Sequence, residues 1–149
     1  KEGKITLVEM SEHVSLAYQE KSRKTLLSSK TVFQIGNYDD AVSLAYYSMY
    51  YSLLALLFRV GVKCENHTAA ILLLKEIFGR DTTTITFAKK ERVDKQYYVD
   101  FSLTEQDVSE MISFAEEFHA EMLHFLDSFT SRELEMYRRK AEQIFQRKI

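Results

Sequence analysis

The chain contains no proline and only four glycines among 149 residues. Average usage at this length gives roughly seven prolines and ten glycines. Sharp turns are therefore scarce, which argues against a turn-rich all-β fold and for long uninterrupted helices. Three of the glycines act as punctuation, while Gly3 lies in an N-terminal lead. Gly36-Asn37 separates a first helix, 11–35, from a second that opens on Asp39 and Asp40 and closes near Gly61. A third helix, 67–78, stops at Gly79. Residues 80–86 hold four threonines and read as a loop, followed by a short charged helix over 88–99. Thr104-Glu105-Gln106-Asp107 resembles a capping box opening a long helix to Phe129, and Ser131 caps a last helix, 132–147. The expectation is one all-α domain over 1–149: an antiparallel bundle of about five helices over 11–129, with a C-terminal helix over 131–147.

Two helices have informative faces. In the fifth, Val108, Met111, Ile112, Ala115, Phe118, His119, Met122, Phe125, Leu126 and Phe129 form one stripe at helical spacing, which faces a core. The second is apolar nearly all round and must be covered on more than one side. Its small residues, Ala41, Ala45, Ser48, Ser52 and Ala55, make a stripe ending in Arg59. Opposite lie Val42, Tyr46, Met49, Leu53, Leu57 and Val60. Either face suits a helix of the same chain or a second subunit.

Residues 41–58 carry no charge, close to the lower length of a membrane span. Tyrosines 46, 47, 50 and 51 stand near its middle, where a bilayer selects aliphatic residues, so a buried central helix is expected and no membrane partner. The formal net charge of −2 confines any nucleic-acid site to a local patch. Cys64 is the only cysteine, which fits a reducing, cytoplasmic setting.

The segment Asn37-Tyr38-Asp39-Asp40-Ala41-Val42-Ser43-Leu44-Ala45-Tyr46-Tyr47-Ser48-Met49-Tyr50 resembles the second helix of HEPN (higher eukaryotes and prokaryotes nucleotide-binding) domains, in particular a small prokaryotic branch with an A-YY-M-F/Y core. Leu53-Leu54-Ala55-Leu56-Leu57 and Gly61 continue the pattern. His67 falls where that branch often places a histidine, and Arg92 followed by Tyr97 resembles its later arginine-to-tyrosine motif. The resemblance spans roughly 16–129. It implies a helical bundle, usually a homodimer, often paired with a minimal nucleotidyltransferase as toxin and antitoxin. It also implies nucleotide or RNA binding, without a cofactor or metal. Active members of the family are metal-independent RNases with arginine, four to six residues, then histidine near the dimer interface. There histidine transfers a proton during attack of the RNA 2′-hydroxyl, and arginine holds the phosphate. Arg59 and His67 are the candidate catalytic pair, but seven residues separate them, one more than that motif spans. Arg92 and Tyr97 are candidates for binding nucleotide or RNA, with Gln96 standing where the branch usually has aspartate. The imperfect catalytic motif favours a binding module acting with a nucleotidyltransferase; the alternative is the RNase toxin.

Other residues read more plainly. His119 is a hydrogen-bonded core histidine, His124 is a surface group, and His13 has no evident partner. The tyrosines at 46, 47, 50 and 51 offer π-faces for bases, yet successive helical positions point in different directions, so packing is the better reading. The C-terminal helix sets six cations against three carboxylates, with Leu134, Tyr137, Ala141, Ile144 and Lys148 at heptad-like spacing. It suits docking on the bundle, pairing with a partner, a weak RNA patch, or a solvated end helix.

Overall fold

The computed structural model describes residues 5–97 and 103–147, with side chains for 5–92 and 103–147. The elements are β1 (Ile5–Leu7), α1 (Glu12–Gln34), α2 (Tyr38–Arg59), β2 (Val62–Cys64), α3 (His67–Phe78), α4 (Thr83–Tyr97), α5 (Glu105–Asp127) and α6 (Ser131–Arg147). The fold is an all-α bundle carrying one small two-stranded sheet, as the breaker pattern requires apart from the strands.

Side-chain chemistry sets the helix starts. Ser11 accepts from the Val14 N–H to cap α1, and Asn66 accepts from the Ala69 N–H to cap α3. Thr104 and Asp107 form the reciprocal capping box of α5. At α6 the capping side chain is Thr130, one residue before the serine expected: its Oγ1 accepts from the Glu133 N–H while Glu133 accepts from the Thr130 N–H. The first three helices end at glycines of positive φ: Gly36 (81°), Gly61 (80°) and Gly79 (64°).

α2 is the central helix. It is long and apolar enough to cross a membrane by composition, yet most of it is buried among the other helices. Its small stripe, Ala41 to Ala55, is covered by α1 of the same chain, and its bulky side from Val42 to Val60 is equally buried. Of the two uses open to these faces, the chain takes the intramolecular one. α1 meets the small stripe with serines seven residues apart, Ser15, Ser22 and Ser29, all buried. Ser22 Oγ donates to the Ser48 carbonyl (2.6 Å) and Ser29 Oγ to the Ala41 carbonyl (2.7 Å). Rising numbers on α1 meet falling numbers on α2, so the pair is antiparallel. Side chains this small let the backbones approach closely.

Two segments depart from expectation. The charged helix begins at Thr83 rather than 88. The Asp81 carboxylate accepts from both the Thr83 N–H and its hydroxyl, and burial of Ile85 and Ala88 outweighs the poor helix propensity of threonine. The N-terminal lead, read without structure, forms β1, antiparallel to β2 with Thr6 opposite Lys63. The positive φ of Gly61 turns the chain out of α2 into β2, and the Val8 N–H donates to the Gly61 carbonyl at 2.8 Å.

α6 docks on the bundle. Tyr137 and Ala141 are buried, and the Tyr137 ring joins Phe78, Phe125 and Phe129 in an aromatic cluster. Arg138 Nη1 lies within hydrogen-bond distance of three carbonyls: Val8 (2.9 Å), Val60 (3.1 Å) and Gly61 (2.8 Å). One side chain thus fastens α6 to β1 and to the end of α2.

Candidate functional site

His67 is the first residue of α3, where the Asn66 cap fixes the helix entry. Its ring stacks on Tyr50 with centroids 3.8 Å apart and planes 12° apart. Its Nδ1 shares a hydrogen bond with the Tyr46 hydroxyl at 2.8 Å, and Tyr47 meets it edge-on. Positions 46 and 50 lie one helical turn apart on α2, so a single face presents both contacts. Arg92 of α4 closes the other side, its guanidinium 4.8 Å from the Tyr47 ring and 5.9 Å from the Tyr46 ring. Lys89, one turn earlier, donates to Thr68 beside His67.

Around His67, where α2, α3 and α4 meet, Arg92 and Lys89 supply positive charge. Arg92 Nε is buried and has no hydrogen-bond partner among the described residues, an expensive state for a charged group's N–H. Burial, then the positive charges of Arg92 and Lys89, hold His67 below the ordinary histidine pKa. Burial first, with a smaller contribution from Tyr50, raises the Tyr46 hydroxyl above the ordinary tyrosine range, so it stays protonated. At neutral pH the site therefore presents a neutral imidazole held by a phenol, with a guanidinium and an ammonium alongside. That arrangement suits an anion beside a group able to take a proton.

The sequence candidates divide. His67 and Arg92 are brought around the same tyrosines. Arg59 is half-buried at the last turn of α2, where a cation meets the negative end of the helix dipole. Positions 50 and 59 stand roughly 14 Å apart along a helix axis, and His67 takes its hydrogen bond and ring contacts from Tyr46, Tyr47 and Tyr50 rather than from Arg59. The side chain of Tyr97 lies outside those described. Tyr46 and Tyr50, read from the sequence as packing, prove to be the direct partners of His67; their spacing of four on the helix that precedes it was the available signal. Among the described residues no group of three His, Cys, Asp or Glu side chains is placed to hold a metal ion.

A second polar cluster lies across α1, α2 and α5. His119 Nδ1 is 2.9 Å from Ser22 Oγ and 3.0 Å from Ser52 Oγ, and the two hydroxyls are 2.7 Å apart. Ser22 already donates to the Ser48 carbonyl, so Ser52 must donate to Ser22 and Nδ1–H must donate to the serine oxygens. The neutral tautomer therefore has its lone pair on Nε2. His119 is hydrogen-bonded as the α5 stripe implies, but it is half-buried at the margin of the core rather than within it.

Both histidines have depressed pKa values, His119 through burial and then the charge of Arg23. The unfolded chain thus binds protons that the folded chain resists. Their contribution is present above about pH 6.5, the unperturbed value, and is lost as pH falls through the lower folded-state values. The urea midpoint is expected to fall between pH 7 and pH 5, and to fall less in a His67→Gln, His119→Gln double variant. Equal slopes in the two proteins would refute the assignment.

The model of the HEPN domain family matches residues 16–125. No curated protein matches the chain.

Proposed function

We propose, on the premise that this chain belongs to the HEPN domain family, that it is a nucleotide- or RNA-binding module whose anion site is the cleft formed by His67, Arg92 and Lys89. The observation that carries the reading is the buried, unpartnered Nε of Arg92 beside a neutral, tyrosine-held His67. Phosphate oxygens are strong acceptors for the N–H groups of a guanidinium, and an anion beside Arg92 would offset the charge that its half-buried side chain carries. The module acts with a minimal nucleotidyltransferase in a toxin–antitoxin-type pair, as a cytoplasmic homodimer. Membership of the family supports that pairing.

The depressed pKa of His67 favours one second reading, a metal-independent RNase. An imidazole that is neutral at pH 7 can accept a proton from a 2′-hydroxyl while a cation offsets phosphate charge. In that reading the Arg59–His67 pair of the sequence motif needs a neighbouring subunit, whereas Arg92 is adjacent within the chain.

Calorimetric titration with mononucleotides, run beside incubation with labelled RNA, tests both readings. Arg92→Gln is expected to weaken nucleotide binding by about 10- to 100-fold, as for loss of a charged hydrogen bond. Cleavage that survives chelator and disappears in His67→Ala would establish the RNase reading over the binding module. Binding unaffected by Arg92→Gln would place the anion site elsewhere.

A further inference from the structure

The tyrosines of α2 divide between two faces. Tyr46 and Tyr50 are buried around His67, whereas Tyr47 and Tyr51 are only partly buried, pack against the edge of the core and share their face with Phe58. The rings of Tyr47 and Tyr51 are 6.1 Å apart and 28° from parallel. Tyr18 of α1 continues the row, 6.2 Å from Tyr51 and stacked on Phe58 at 5.3 Å and 6°. From Tyr47 to Phe58 the helix rises roughly 17 Å.

Cations border this row. Arg92 covers Tyr47 at 4.8 Å; Lys21 of α1, which is exposed, covers Tyr51 at 4.4 Å and reaches toward Tyr18 at 6.0 Å. The nearest acid on α1, Glu20, is engaged by Arg23. A partly buried row of rings alone is ordinary packing. A row bordered by cations has the two components of single-strand recognition: π-faces that stack on any base, and positive charge that follows the backbone. The cation–π contact of the exposed Lys21 is weak, so its ammonium is free to meet a phosphate.

We propose that Tyr47, Tyr51, Tyr18 and Phe58, bordered by Arg92 and Lys21, form a track for single-stranded nucleic acid that starts at the His67 cleft. The inference rests on the nucleotide-binding reading above and extends it from one nucleotide to an oligonucleotide. At a stacked rise of about 3.4 Å per nucleotide, the track holds no more than about five nucleotides.

Fluorescence anisotropy with end-labelled single-stranded RNA and DNA of increasing length, with mononucleotide titrated separately, tests it on the whole chain. Affinity is expected to climb with length and level off beyond about five nucleotides. RNA and DNA should differ little, and duplex of equal length should bind more weakly. Tyr51→Leu and Tyr18→Leu should each weaken oligonucleotide binding by about tenfold while leaving mononucleotide binding unchanged. Lys21→Gln, at an exposed position that does not threaten folding, should reduce the salt slope by about one. Oligonucleotides that bind no tighter than a mononucleotide would overturn the track and leave the cleft standing. So would tight oligonucleotide binding insensitive to Tyr51→Leu and Lys21→Gln, or variants that alter only self-association. Absence of binding by mononucleotide and oligonucleotide alike would overturn the cleft and the track together.

Discussion

Gly61→Ala is expected to destabilise the fold by roughly 2–5 kcal/mol, which lowers the melting temperature by about 5–15 °C in a chain of this size. Two independent costs add. The backbone at Gly61 has φ of 80°, a left-handed conformation that an L side chain adopts at roughly 1–2 kcal/mol. A β-carbon there would also collide with Arg138 Nη1 and with the Val8 carbonyl oxygen. The first neighbour is a side chain that can swing away, but only by leaving the three carbonyls it serves. The second is backbone of the residue that follows β1, so relief requires the strand to shift. Urea unfolding should show the loss, and amide exchange should show it concentrated in residues 5–8. Arg138→Ala removes one of the clashing atoms, so the double variant should cost less than the sum of the single ones. A loss below about 1 kcal/mol would mean that neither strain nor collision operates.

The second large effect is expected at the α1–α2 seam. Ser22→Val should cost roughly 3–5 kcal/mol, and Ser22→Ala roughly 1–3. Ser22 is fully buried, and its hydroxyl joins the Ser48 carbonyl, the Ser52 hydroxyl and His119 Nδ1. Alanine removes the shared partner and leaves Ser52 and His119 to satisfy one another. Valine does the same and also forces branched carbons between two closely packed backbones, where Ser48, Ser52 and Ala45 leave no slack. The difference between the variants measures the closeness of the helices, because the lost hydrogen bonds are common to both. Equal losses in denaturant unfolding would show that the seam has room to spare.

The helical organisation was legible because it depends on local rules. Few breakers, glycines at the ends of the first three helices, and the apolar period of α5 describe the bundle before any coordinate is known. The sheet was not legible. Ile5–Leu7 gains its strand only by pairing with Val62–Cys64, a long-range partnership that a three-residue segment does not announce. The threonine-rich start of α4 was misread as loop because propensity is a weak prior against the burial of Ile85 and Ala88. At the site, His67 and Arg92 were legible as residue types and Tyr46 as part of a signature. Their meeting was not, because it depends on how α4 crosses α2. The arginine nearest to His67 in sequence, Arg59, stands at the end of α2, more than two helical turns beyond the Tyr46 and Tyr50 that hold His67, and sequence spacing carries no information about that geometry.

Relatedness and foldedness have different edges in this molecule. The stretch shared with the family ends at residue 125, yet Arg138, thirteen positions on, holds the carbonyls at the exit of α2 and behind β1. The aromatic cluster straddles the same line, with Phe78 and Phe125 inside it and Phe129 and Tyr137 outside. A fragment cut where the family match ends would keep His67, Arg92 and Lys89 and lose the fastening at the exit of α2. The family match therefore does not delimit the folded body, which reaches at least to Arg138.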